Sequence, residues 1–105
     1  MIRVAKIVNE LGETAGFRCE GHAGYAESGN DIVCAAVSAL VFTTMNSIEA
    51  LTEDTFSCKQ GDGGLVEFVL VSEVSRESAL LLASLFLGLQ GIQKEYGKQY
   101  LTVRA

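Results

Sequence analysis

The chain has no proline among its 105 residues, so nothing in it is interrupted or turned by that residue. Its turns must be read from glycine clusters instead. Positive charge is also scarce. Eight Lys and Arg stand against thirteen Asp and Glu, for a net charge of −5. That balance argues against nucleic acid or an anionic membrane as the main partner and suits a basic protein substrate better. Three cysteines are an odd number with no close pairing in sequence. A secreted disulfide framework is therefore not expected, and reduced thiols are. Arg3 and Lys6 interrupt the first apolar stretch, so no leader pattern is read there and the cytoplasm is the expected compartment. No linker, repeat or low-complexity tract breaks the chain. A composition of 49% apolar and 20% charged residues excludes disorder and fits one domain over residues 1–105.

Periodicity supplies the elements. Ile2 to Val8 and Thr14 to Glu20 alternate as strands around a turn centred on Gly12. Thr55 to Lys59 and Leu65 to Val71 read as a second hairpin across Gln60-Gly-Asp-Gly-Gly, with Val66, Phe68 and Leu70 on one face. Ile32 to Ala50 is expected to be a helix capped by Asp31. A second helix runs from Ser75 to about Glu95 with Gly97 as its stop, and a last strand covers Gln99 to Arg104. The order is ββαββαβ, an α+β domain with a mainly antiparallel sheet packed by two apolar helices.

Both helices are unusually apolar; Ile32 to Ile48 carries no charge at all. Each is expected to fall short of the roughly twenty apolar residues that a bilayer crossing needs, so no membrane partner is expected. Each also has more apolar surface than one sheet face covers, and one of them is expected to bury a contact between two copies of the chain.

Chemistry concentrates between Gly21 and Ser38. The only histidine, His22, ends a strand, and Cys34 falls in the first turn of a helix, with a loop carrying Gly24 and Gly29 between them. A thiol is a good nucleophile only as thiolate, and an imidazole or a helix N-terminus favours that form. First-turn amides lack intrahelical partners and are expected to stabilise both the thiolate and the oxyanion of a tetrahedral intermediate. Asp31 opposes a negative sulfur by repulsion, so His22 is expected to supply most of the activation. Asp31 is either an N-cap alone or also a group that orients His22; the sequence leaves both open. Ser38, one turn after Cys34, is a supporting residue that bonds a carbonyl or helps set the geometry of the pair. Gly21, Gly24 and Gly29 supply backbone conformations or a hinge. Residues Ala23 to Asn30 are long enough to form a lid over an extended peptide, with Tyr25 an aromatic contact and Glu27 a partner for a basic flank.

The stretch Gly21-His22, Gly29, Asp31, Val33-Cys34-Ala35-Ala36 and Ser38 resembles the signature of the ribosomal-processing cysteine protease family, Prp. The resemblance implies a cytosolic cysteine endopeptidase using Cys34 and His22 and needing no cofactor. Its implied partner is the short N-terminal extension of the large-subunit ribosomal protein numbered twenty-seven, cut after an aromatic pair. It also implies a homodimer.

Other classes fit less well. A cysteine phosphatase needs an arginine six positions after its nucleophile, and position 40 is Leu. No glycine-rich phosphate cradle occurs. A metal site would draw on Cys19, His22 and Cys34, but Cys19 and His22 are expected on opposite faces of their strand, and no fourth close-spaced ligand is present. Cys19 and Cys58 are expected to be core fillers. The stronger rival is a non-catalytic, ribosome-associated module that holds a peptide with the same loop and groove.

Overall fold

Alternation of apolar and polar residues makes a hairpin of β1 (Ile2–Val8) and β2 (Thr14–Glu20), with Val4 opposite Cys19 and Lys6 opposite Phe17. Its turn is held by the Asn9 side chain, which accepts from the amides of Leu11 (3.0 Å) and Glu13 (2.9 Å). Then follow α1 (Ile32–Leu51), β3 (Phe56–Gly61), β4 (Leu65–Leu70), α2 (Arg76–Tyr96) and β5 (Leu101–Arg104). This computed structural model describes residues 1–27 and 29–104. Ser28, which the sequence places in the loop before α1, lies outside the described residues, as does Ala105.

The sheet has the order β3-β4-β2-β1-β5. Three of its pairings are antiparallel, as expected, and β1 with β5 is parallel, which makes the sheet mixed. A parallel neighbour needs a long return path, and α2 provides it between β4 and β5. Two strand boundaries differ from the sequence reading by two residues. The β3–β4 ladder continues through Gln60 opposite Val66 and Gly61 opposite Leu65, so only Asp62-Gly63-Gly64 is left to turn. Gly63 and Gly64 do so at φ of 72° and 71°. At the other end, β5 begins at Leu101 rather than Gln99. The amides of Tyr100 and Leu101 both donate to the Gly97 carbonyl, at 3.1 and 3.3 Å, and that turn uses up the intervening residues.

Both helices cover one face of the sheet. Val4, Phe17, Cys19, Val66, Phe68 and Leu101 are buried from the sheet side against Val33, Val37, Val41 and Ile48 of α1 and Leu82, Leu85, Phe86 and Leu89 of α2. Phe68 lies at the middle of this layer, fully buried, with its ring 5.6 Å from Phe17 and 4.7 Å from Phe56. The opposite face has exposed charges, and Arg18 pairs there with Glu67 at 2.7 Å and Glu20 at 3.5 Å. Such exposed pairs contribute about 0–1 kcal/mol each. The layer is therefore held by apolar burial on its other side.

Two expectations about burial are corrected. Cys58 faces the helix side opposite Phe68, but it sits on the edge strand beyond the helices and is exposed, whereas Cys19 is buried as expected. And α1, at 20 residues, is long and apolar enough to cross a membrane, so the length argument against that does not hold. Its placement is what marks it as a core helix: Val33, Val37, Val41, Thr44, Met45 and Ile48 recur at helical spacing and are buried against the sheet and α2. Close approach of the two helices is allowed at Gly88, where a Cβ would stand 2.9 Å from a methyl of Leu40.

Candidate active site

Gly21 ends β2 at a φ of 90°, turning the chain out of the sheet just before His22. A hydrogen bond from the Asn30 amide to the Glu27 carbonyl, at 2.9 Å, turns the chain toward Asp31 and the start of α1. Asp31 is the N-cap. Its Oδ1 accepts from the amides of Val33 and Cys34, both at 3.0 Å, and its Oδ2 from the amide of Tyr25 at 3.1 Å. One carboxylate thus starts the helix and closes the loop back onto it. Burial alone would raise its pKa, but the amides of Cys34, Tyr25 and Ala26 together hold the carboxyl below the usual range. Among the described residues, no hydrogen bond joins it to His22, so of the two roles open in sequence the geometry gives Asp31 the capping one.

Three of the amides expected to serve the sulfur and an oxyanion are engaged by the cap residue in this structure. The N–H groups of Val33 and Cys34 are given to the Asp31 side chain, and that of Ala35 to the Asp31 carbonyl at 3.1 Å. Their charge is answered before any substrate arrives. The donor that does reach the sulfur comes from the other side: the Ala23 amide points at Cys34 Sγ at 3.3 Å. Ala23 is buried and follows His22 directly, so one short piece of backbone brings an amide to the thiol and puts the exposed imidazole on the lining of the same two cavities.

Cys34 is half-buried at the junction of two cavities, and His22 and Ser38 line both with it. The first cavity, about 260 Å³, is apolar, walled by Val37, Val41 and Phe42 of α1 and by Gln60, Gly61, Gly64, Leu65 and Val66 of the β3–β4 hairpin. The second, about 490 Å³, lies under the loop and is lined by Gly24, Ala26, Gly29, Asp31 and Ala35. Gly24 and Gly29 have φ of 69° and 90°, and a Cβ on either would meet nothing within 4 Å, so they are there for backbone shape rather than for space.

Not every expected loop residue faces these cavities. Tyr25 and Glu27 line neither, among the described residues. The Tyr25 ring packs edge-on against Tyr96 at 5.6 Å and Tyr100 at 5.0 Å, pinning the loop to the end of α2 and the approach to β5. Phe42 and the hairpin wall were not singled out in the sequence; the glycine cluster at 61–64 was the one signal, and it read as a turn.

Cys19 shares the apolar cavity with Cys34 and His22, against the expectation that its strand position would separate it from them. The bend at Gly21 removes the strict alternation on which that expectation rested. No group of three or more His, Cys, Asp or Glu side chains among the described residues is arranged to hold a metal ion. Burial, with smaller effects from Cys34 and Glu20, pushes the Cys19 thiol up from 9.0 to about 11. It stays protonated at neutral pH. The unfolded chain ionises this thiol at the ordinary value, so the stability that comes from keeping it neutral is complete below about 9 and lost as pH rises through about 11. Melting temperature is expected to fall more steeply between those two values in the wild type than in Cys19→Ala. Parallel slopes in the two proteins would contradict the assignment.

Comparison with known proteins finds relatives that match nearly the whole chain. The family model for the cysteine protease Prp matches residues 1–101. The ribosomal processing cysteine protease Prp of Staphylococcus aureus is 35% identical over 99 residues, 93% of either chain. The crystal structure of that essential S. aureus protease with a covalently linked product peptide superposes with a TM-score of 0.91 at 33% identity, covering 99% of this chain and 98% of the other. A second, with a substrate peptide, gives 0.85 at 32% identity over the whole of both chains.

Proposed function

Since the chain belongs to the cysteine protease Prp family and is thereby a cysteine-type peptidase, we propose that it trims a ribosomal protein, with Cys34 as nucleophile and His22 as its acid and base. The substrate in this reading is the short N-terminal extension of the large-subunit ribosomal protein numbered twenty-seven. The observation that supports it is that Cys34 and His22 both line the same two cavities. The wall of Val37, Val41, Phe42 and Leu65 takes an aromatic side chain next to the bond that is cut.

In the reaction, the Cys34 sulfur attacks the peptide carbonyl carbon as its proton passes to the His22 imidazole. Negative charge moves from sulfur to the carbonyl oxygen, two bonds away from it. The Ala23 amide, already 3.3 Å from the sulfur, is the donor best placed to follow that charge. His22 then gives the proton to the departing amine, and water, deprotonated by the same imidazole, clears the acyl-enzyme.

Two further parts of this reading concern setting. Three free thiols suit the cytoplasm. A second copy of the chain is the partner proposed for the helical layer, where Leu80 and Leu87, two turns apart on α2, remain 71% and 72% exposed; sedimentation of a monomer at micromolar concentration would count against it. The deciding experiment for the substrate is mass spectrometry of the ribosomal protein's N-terminus after mixing. A single shortened product ending the extension at an aromatic pair is expected. Binding without any mass loss would leave the protein as a peptide-holding module.

A further inference from the structure

The segment Gly21-His22-Ala23 carries the amide that reaches Cys34 and the imidazole that lines both cavities beside it. Its beginning is fixed from outside. The Gly21 amide donates to the Gly63 carbonyl at 2.6 Å, in the tip of the β3–β4 hairpin. Gly64, next along, lies so close that a Cβ on it would stand 2.6 Å from the Gly21 carbonyl oxygen. On the other side, a Cβ on Gly21 would run into the Met1 carbonyl. Three backbones meet here with no side chain between them, and all three glycines at the hairpin tip and hinge hold positive φ. The same hairpin, through Gly61, Gly64, Leu65 and Val66, forms a wall of the apolar cavity.

We propose that the Asp62-Gly63-Gly64 tip is a positioning clamp for the active site: it seats Gly21, and through Gly21 sets where the His22 imidazole and the Ala23 amide stand relative to Cys34. Gly64 is a positioning residue in this sense, acting through its neighbour. The inference rests on the assignment of Cys34 and His22 given above. It adds that a peptide pressing on the hairpin wall is mechanically linked to the segment that performs the chemistry. A displacement of about 1 Å in a catalytic group is enough to lower a rate on the order of a hundredfold.

Two substitutions act on the clamp in opposite ways. Gly64→Ala pushes on the Gly21 carbonyl. A single glycine inserted between Asp62 and Gly63 adds no side chain but slackens the tip, and so bypasses any failure of the first variant to fold. Gly63→Ala is the matched comparison, because it imposes the same positive-φ strain at φ 72° while its Cβ meets nothing within 4 Å. The probe is an internally quenched peptide carrying an aromatic pair, cleaved by wild type and not by Cys34→Ala. Gly64→Ala and the insertion are each expected to lower kcat by about tenfold to a hundredfold, with the pH profile of kcat displaced and with cooperative melting kept. The loss in Gly63→Ala is expected to be at least about fivefold smaller, with its pH profile on that of the wild type. Equal losses in the two alanine variants, or an insertion variant with wild-type kcat and profile, would overturn the clamp while leaving the protease intact. A wild type that fails to cut the probe would instead remove the catalytic assignment and the clamp with it.

Discussion

Cys34→Ala is expected to lower peptide hydrolysis by about a thousandfold or more while leaving the far-UV spectrum and the melting curve close to those of wild type. The fold has little to lose at this position. Cys34 is half-buried, packs only at the border of the core, and gives its backbone amide rather than its side chain to the Asp31 cap. Alanine is also the best helix former and keeps the first turn. What disappears is the sulfur proposed as the nucleophile, together with the acceptor of the Ala23 amide. Peptide affinity, measured by fluorescence anisotropy, is expected to survive, because both cavities keep their walls. Turnover in the variant at more than about a tenth of the wild-type rate would show that another group does the chemistry.

The second large effect is on stability. Phe68→Ala removes a fully buried ring that is packed between Phe17 and Phe56 and that ties the central strands to the edge of the sheet. Truncation of a buried phenylalanine costs about 3–5 kcal/mol, and each lost aromatic pair adds about 0.5–1.5 kcal/mol beyond area burial. A domain of this size is stable by only about 5–15 kcal/mol in total. Urea unfolding is therefore expected to shift to a much lower midpoint with the slope unchanged, and a shift worth less than about 1 kcal/mol would mean that the core closes around the gap. Activity should follow, since Val66, two residues before Phe68 on the same strand face, lines the apolar cavity.

The secondary structure was legible because its signals are local. Period-two alternation marks β1, β2 and β4, Asp31 and Ser75 cap the two helices, and Gly97 ends the second at a φ of 112°. Cys34 and His22 were singled out for a related reason: they fall twelve residues apart with a glycine-bearing loop between them, and in the fold both line the same two cavities. What could not be read depends on pairings distant in sequence. The contact of Gly21 with Gly63 and Gly64 exists because β2 pairs with β4, which no local pattern announces. Tyr25 meets partners some seventy positions away, and so reads as a free aromatic ring until the end of α2 is seen beside it. Cys58 keeps the right alternation on the wrong strand, since an edge is defined by what fails to lie next to it. The engagement of the first-turn amides went unread for a different reason. A helix N-terminus with an aspartate cap has already answered its own amides, and Asp31 was visible in the sequence.

The two unlike cavities that meet at the sulfur have a consequence for inhibitor chemistry. An electrophile small enough to reach Cys34 can be grown in either of two directions: toward a greasy recess walled by Val37, Phe42 and Leu65, or toward a shallow one floored by backbone and a single carboxylate, that of Asp31. A lipophilic arm in the first supplies potency through desolvation, and a donor-bearing arm in the second supplies selectivity over thiol enzymes whose helix start lacks an acid. Because Cys19 keeps its proton in the same recess, such a compound has one sulfur to label there rather than two.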